Sequence, residues 1–159
     1  MREFMTKGIE QAQKGMADTR AALRELRGVE EQPRSLVSSV DRLASAFKDT
    51  HISVRAHYAN MPWSFNEEID ATIYRIVQEG ITNAIRHGNA SRIDLHLSLD
   101  GERIGVAVRD NGSGSGEIQE GIGMAGIRER VGRLGGGLAA GRSAGGFLLS
   151  AWIPYREES

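Results

Sequence analysis

Hydrophobic residues recur along this chain with two different periods, and the change of period predicts where helices and strands lie. Near the N-terminus, apolar or small residues recur at alternating spacings of four and three, which indicates a helix with one narrow stripe. The stripe consists of Met5, Ile9, Ala12, Met16, Thr19, Leu23 and Leu26. It is typical either of an ordinary amphipathic helix or of a dimer seam. Pro33 is predicted to open a second helix that ends near Asp49.

A strand, a long helix and a hairpin are predicted in the middle of the chain. Alternation predicts a strand over about residues 52–58. Ser64 and Glu67 form the S-x-x-E pattern of a capping box, so a helix is expected to begin there and to stop near Gly88 and Asn89. Its apolar face is Ile69, Ile73, Ile76, Val77, Gly80 and Ala84. Alternating residues at 93–99 and 104–108, joined by an Asp-Gly turn, predict an antiparallel pair.

The C-terminal part is rich in glycine, with 15 of the 20 glycines between Gly101 and Gly146. A helix over about Met124 to Leu134 and two strands, near 138–143 and 147–153, complete the pattern. Interleaved helices and mostly antiparallel strands predict an α+β fold. The expected form is a two-layer α/β sandwich with a mixed, mostly antiparallel sheet and helices on one face.

Composition excludes several classes of protein. The 20 basic and 21 acidic residues nearly balance, which argues against direct binding to nucleic acid. No cysteine is present, so a disulfide framework, a thiolate nucleophile and a cysteine-type zinc site are excluded. No apolar run approaches the roughly 20 residues that span a bilayer, so no membrane contact is expected from this chain.

Two glycine motifs suggest a nucleotide, but neither fits a common phosphate loop. GIGMAG, residues 121 to 126, has the letters of a dinucleotide motif, yet it follows the polar run GEIQE instead of a strand. No lysine completes a Walker sequence.

The polar face of the long helix is a second candidate, and it carries Arg75, Glu79, Thr82, Asn83 and Arg86. It is either a solvated surface on which Glu79 and Asn83 hydrogen-bond, or a site where Asn83 ligates Mg²⁺. Asp110 ends a strand and is followed by NGSG. It is either part of an ordinary turn or the acceptor for an exocyclic amine, with Gly112 and Gly114 letting a ring approach the backbone.

Four segments in order carry a resemblance to a known family. IYRIVQEGITNAIRHGNA, VAVRDNGSG, GIGMAGIRERVGRLGG and GGFLLSAWIP resemble the N box, the two glycine boxes and the closing strand of a histidine-kinase ATP-binding domain. The resemblance covers about residues 33 to 156 and is strongest to the NarL-type subgroup of two-component sensor kinases. It implies the Bergerat-type ATP-binding fold shared with gyrase, Hsp90 and MutL.

The resemblance also implies roles for individual residues and the cofactors ATP and Mg²⁺. Asn83 would be the Mg²⁺ ligand and Glu79 its catalytic neighbour, while Asp110 would take the adenine amine. Arg86 and His87 would contact phosphate, although His87 is as readily structural. The mobile lid and its hinges would be Gly112, Gly114, Gly121, Gly123 and Gly126, and Met124 would be a further nucleotide-binding residue. Gly146 stands where the family usually has threonine.

The same resemblance divides the chain and predicts its function. Residues 1–30 would be the C-terminal part of a dimerisation helix hairpin, and 31–159 the ATP-binding domain. None of His51, His57, His87 and His96 precedes an acidic residue, as the subgroup's phosphoacceptor does. The chain is therefore expected to bind Mg-ATP and to donate the γ-phosphate to a histidine on a dimerisation domain that is incomplete here.

Several expectations follow from this function. The partners would be the dimerisation domain of the same kinase and a NarL-type response regulator, and the location cytoplasmic. The chain alone is not expected to phosphorylate itself. Alternatives are an anti-sigma-factor-type serine kinase and a nucleotide-gated binding module without kinase activity.

Overall fold

The computed structural model describes residues 35–113, 121–143 and 145–157. In this part of the chain, helices are separated by single strands or by pairs of strands. Its helices are α1 (Leu36–Ser45), α2 (Glu67–Arg86) and α3 (Ile122–Arg133). Its strands are β1 (Ser53–Ala59), β2 (Arg92–Asp100), β3 (Arg103–Asp110), β4 (Gly137–Ser143) and β5 (Gly146–Pro154). The helix predicted over residues 5–26 and the lid residue Gly114 lie outside the described residues.

The strands form one sheet in the order β1-β2-β3-β5-β4. β1 pairs with β2 in parallel, because α2 carries the chain back between them, and the other neighbours are antiparallel. The predicted mixed, mostly antiparallel sheet is therefore confirmed. The register pairs Asp110 of β3 with Ile93 of β2 and Phe147 of β5. Because β3 is the central strand, Asp110 lies in the middle of the row of strand ends on that side of the sheet.

One face of the sheet carries all three helices. Inward residues of the central strands are buried, while those between them are exposed or half-buried. The buried strand residues include Ile93, Leu95, Leu97, Ile104, Val106, Val108, Leu149 and Ile153. The apolar face predicted for the long helix is buried as well, from Ile69 to Ala84. This is the expected two-layer α/β sandwich, in which the polar face of α2 stays available for chemistry.

Two predicted helix starts are wrong. The long helix is capped by Asn66, whose Oδ1 accepts the amide of Ile69, and not by Ser64. The hydroxyl of Ser64 instead accepts the amide of Leu36, 28 residues away. Helix α1 begins at Leu36 rather than at Pro33, because Ser35 has an extended backbone and its hydroxyl caps the amide of Ser38.

Candidate functional site

Asp110, the last residue of β3, is a buried carboxylate with one free oxygen. The residue is only 6% exposed. Its Oδ1 accepts the amide of Gly112 at 2.7 Å. Within the described residues Oδ2 has no hydrogen-bond partner, and it is not among the side-chain atoms sealed from solvent. An anionic oxygen held in a buried residue but open at one side can accept a hydrogen bond from a ligand amine.

Asn111 holds the strand end in place. Its Oδ1 accepts the amides of Ser91 and Arg92 at 3.0 and 2.9 Å, and its Nδ2 donates to the Ser91 hydroxyl at 3.0 Å. These bonds tie the exit of β3 to the entrance of β2. The sequence analysis gave Asn111 no role, although an asparagine in an Asp-Asn-Gly turn is a signal for such side-chain bonds to the backbone.

Gly112 brings the first glycine loop against the end of α2. A Cβ at Gly112 would overlap the carbonyl oxygen of Gly88, which follows the C-terminal turn of the helix. The same oxygen accepts the amide of Ser113 at 2.9 Å. Only glycine permits this close backbone approach, which is a different reason for glycine at position 112 from the ring approach expected from the sequence.

Glu79 and Asn83 lie one turn apart on α2, above the end of β3. Between them Gly80 packs directly on Val108, because a Cβ at Gly80 would be 2.7 Å from the Val108 Cβ. Both polar side chains are half-buried. No hydrogen bond joins Glu79 to Asn83 in this structure, and neither side chain has another partner among the described residues. The hydrogen bond expected of a self-satisfied surface pair is therefore absent from the described residues.

The first turn of α3 meets the carboxylate of Glu79. A Cβ at Gly123 would lie 2.6 Å from Glu79 Oε2, so the carboxylate rests where a side chain at position 123 would be. The N-cap of α3 is Gly121, which provides no side-chain cap, and the first turn of the helix has no acidic residue. Glu79 thus supplies negative charge from another helix to the positive end of the α3 dipole.

The remaining predicted residues are less close to this centre. Met124 is only 3% exposed and packs in the core, so its side chain supports the start of α3 from below. In the described part of the chain, no atom of another element lies within 4 Å of a Cβ built at Gly121 or Gly126. Arg86 and His87 are exposed at the C-terminal end of α2. The positive charge of Arg86 there interacts favourably with the negative end of the helix dipole. The structure places Gly112 against Asp110 and Gly123 against Glu79, and Asn83 lies one turn after Glu79 on the helix that packs on β3.

Gly146 also belongs to this edge of the sheet. A Cβ at this position would overlap the carbonyl oxygen of Asp110. A threonine, which the family pattern led us to expect, does not fit here with the backbone as it stands. The glycine allows β5 to lie directly against the strand end that carries Asp110.

These features define a class of site, in which a strand-end carboxylate lies beside a polar helix face and glycine-rich turns. Residues 68–157, more than half of the chain, match the family described as "Histidine kinase-, DNA gyrase B-, and HSP90-like ATPase". The chain belongs to this family, and the description of the family as ATPases supports ATP as its nucleotide.

Curated relatives are sensor kinases. Sensor histidine kinase LnrJ of Bacillus subtilis (strain 168) is 30% identical over 114 residues, which are 71% of this chain and 28% of that protein. Signal transduction histidine-protein kinase/phosphatase UhpB of Salmonella typhimurium is 32% identical over 125 residues, 73% of this chain and 24% of that protein. This chain thus spans about a quarter of the length of these relatives.

Solved structures with the same fold are also histidine kinases. The histidine kinase domain of the Erythrobacter litoralis EL346 blue-light activated histidine kinase gives a TM-score of 0.60 at 24% identity, covering 84% of this chain and 70% of that one. Acinetobacter baumannii histidine kinase AdeS gives 0.60 at 14% identity, with 98% and 84% covered. At these identities the likeness shows the fold alone.

Two further features were searched for among the described residues. No group of three histidine, aspartate or glutamate side chains lies together in a way that could hold a metal ion. None of α1, α2 and α3 is long and apolar enough to cross a bilayer.

Proposed function

We propose that this chain is the ATP-binding catalytic part of a sensor histidine kinase, with residues 31–159 as the ATP-binding domain and 1–30 as the end of a dimerisation hairpin. Family membership supports the nucleotide, and the names of the relatives support the acceptor. The observation that carries the site assignment is the buried Asp110, with its free oxygen, at the end of the strand on which the helix bearing Glu79 and Asn83 packs.

The site fits adenine at the end of β3. The free Oδ2 of Asp110 would accept a hydrogen bond from the exocyclic amine, while Oδ1 stays bound to the amide of Gly112. Asn111 holds the strand end in position, so the carboxylate is oriented before the nucleotide arrives.

The site also fits Mg²⁺ beside the phosphates. The amides at the start of α3 and the positive end of its dipole favour a phosphate group. The carboxylate of Glu79 rests against the same turn, so two anionic groups would meet there unless a cation lies between them. Asn83 offers an amide oxygen one turn away, and Mg²⁺ commonly takes its other ligands from phosphate and water.

When bound, Mg-ATP would supply a γ-phosphoryl group for transfer to an imidazole nitrogen. The role of this chain in such a transfer is positioning, because the transition state is loose and needs little covalent help. Asp110 would hold the adenine base in place, and Asn83 would hold the metal ion. Glu79 would orient either a water molecule at the metal or the incoming acceptor. The acceptor itself would come from the dimerisation domain of the intact kinase.

The wider assignments rest on the relatives. A response regulator, of NarL type, would receive the phosphoryl group next, and the domain would work in the cytoplasm. His57 and His96 stack on each other on the outer face of the sheet, with ring centroids 4.6 Å apart, remote from the α2 face that carries Asn83. This position argues against either histidine as the acceptor.

Phosphotransfer in trans tests the proposal. The full chain is mixed with a dimerisation fragment of a NarL-type kinase and with ATP labelled in the γ-phosphate. We expect acid-labile label on the histidine of the fragment, and none on His51, His57, His87 or His96. Asn83→Ala should abolish transfer, whereas Gln78→Ala, a carboxamide change on another face of the same helix, should not.

Other outcomes identify the alternatives. Acid-stable label on a serine of an added protein would indicate a serine kinase instead. Nucleotide binding without transfer to any fragment would indicate a nucleotide-gated binding module. Acid-labile label on a histidine of this chain would contradict the assignment of the acceptor histidine to the dimerisation domain.

A further inference from the structure

Trp63, in the loop between β1 and α2, exposes most of its indole ring. Its exposed fraction is 71%. The described residues hold one other exposed large hydrophobic side chain, Trp152, at 39%. Trp152 is covered by the guanidinium of Arg103, 4.2 Å from its ring centroid, and lies on Gly137. No ring contact or cation of the described residues covers Trp63 in this way. Its indole therefore offers a partner a large apolar face and a hydrogen-bonding N–H.

Hydrogen bonds fix Trp63 to the first turn of α1. Its carbonyl oxygen accepts the amide of Val37 at 3.2 Å, and the neighbouring Ser64 hydroxyl accepts the amide of Leu36 at 3.0 Å. The loop is therefore held by backbone groups at the point where residues 1–34 join the described part of the chain.

The far side of the loop is fixed as well. The amide of Phe65 donates to Asp70 Oδ1 at 2.8 Å, and the Phe65 ring packs edge-on against Tyr155 with centroids 4.7 Å apart. An anchored loop that still exposes an indole presents a preformed surface, so little ordering entropy opposes a partner that binds it.

We propose that Trp63 is the docking surface for the apolar stripe of this chain's own N-terminal segment, in particular Leu23 and Leu26. These leucines are the last two residues of the predicted stripe. Eight residues, 27–34, separate Leu26 from the described part of the chain, and eight extended residues reach about 26 Å. Because Trp63 is bonded to the first turn of α1, the end of the stripe is within reach of the indole.

The tether favours this occupant over a second copy of the chain. A short linker gives an effective concentration of about millimolar, which is well above ordinary protein concentrations. The contact would lie at the sheet end opposite Asp110, since β1 runs away from that end, from Ser53 beside Arg92 to Ala59 beside Ser98. Docking at Trp63 would therefore leave the nucleotide site open, and the inference does not depend on the proposed kinase function.

Fluorescence of the full chain tests the proposal. Trp152→Phe leaves Trp63 as the only tryptophan, and acrylamide quenching then reports its cover. We expect Trp63 to be protected from quenching. Leu23→Asp should remove that protection and shift the emission to longer wavelength, whereas the matched control Ala21→Asp, on the opposite side of the predicted helix, should leave both unchanged.

A reciprocal measurement separates docking from simple loss of the helix. Trp63→Ala should speed amide hydrogen exchange over residues 16–26, and Trp63→Phe should restore the slower exchange. The proposal would be overturned if the Trp152→Phe chain that keeps Leu23 were quenched as strongly as free tryptophan. It would also be overturned if Trp63→Ala left the hydrogen exchange of residues 16–26 unchanged. Protection that disappears on dilution would assign the surface to a second copy and overturn it as well.

Discussion

Replacing Gly80 with alanine should destabilise the fold, although alanine is the better helix former. A Cβ at Gly80 would lie 2.7 to 2.8 Å from three carbon atoms of Val108, whereas non-bonded carbons rest at about 3.5–4.0 Å. Helix α2 and strand β3 must therefore separate by about 1 Å. Such overpacking costs about 1–3 kcal/mol, against a gain of about 0.5–1 kcal/mol from helix propensity. The expected net loss is therefore at most about 2.5 kcal/mol and is centred near 1 kcal/mol.

Urea unfolding measures this loss, and a second substitution identifies its cause. Val108→Ala removes the two methyl groups that the new Cβ meets but keeps the Val108 Cβ, so it relieves part of the clash. The double variant should therefore be more stable than the sum of the single effects, by about 0.5–3 kcal/mol. Because Val108 lies two residues before Asp110, the same separation should also weaken ADP binding in Gly80→Ala. Recovery of ADP affinity in the double variant would connect the contact to the site.

The opposite result for Gly80→Ala is simple to recognise. If the close contact were absent, alanine would stabilise the chain by about 0.5–1 kcal/mol, as it does in an open helix position. Its effect would then add to that of Val108→Ala without coupling. Either finding would refute the close packing of α2 on β3 from which the placement of Glu79 and Asn83 is argued.

Two further predictions concern other parts of the fold. Gly146→Thr, which introduces the residue usual in the family, should destabilise the chain by about 3 kcal/mol or more because its Cβ overlaps the Asp110 carbonyl, and unchanged thermal unfolding would contradict this. The pKa of Tyr58 is raised, first by burial and then by its hydrogen bond to Asp41, so the folded state holds this proton more tightly than the unfolded chain. The contribution of Tyr58 to stability is therefore fully present below its unfolded pKa of about 10 and is lost as the pH rises above that value. In Tyr58→Phe, the free energy of unfolding should fall less between neutral and alkaline pH.

Local pattern predicted the layers of this fold well because burial depends mainly on periodicity. The apolar residues of α2, such as Ile73 and Val77, are buried as their spacing predicts. Alternation in β2 and β3 likewise predicts which side chains face the helices. These signals are contained in one element each, so no knowledge of tertiary contacts was needed to interpret them.

Features that depend on distant contacts were missed or predicted wrongly. Ser64 and Asn66 can both cap a helix, and the choice falls on Asn66 because the Ser64 hydroxyl is engaged by Leu36. The packing of Gly123 on the Glu79 carboxylate joins residues 44 positions apart, and no local pattern contains it. The resemblance named both residues for the site, but only the structure shows that Glu79 serves the first turn of α3.

Calorimetric titration of the full chain with Mg-ADP tests the central claim most directly. The control is Asp100→Asn, an exposed aspartate at the other end of the same sheet. Asp110→Asn keeps an oxygen that can accept the Gly112 amide but loses the charged acceptor for the adenine amine. A hydrogen bond to a charged group contributes about 1.5–3 kcal/mol, so the affinity should fall by roughly tenfold to a hundredfold. Asp100→Asn should bind like the unmodified chain. Equal affinity in Asp110→Asn and Asp100→Asn would contradict the assignment of the site.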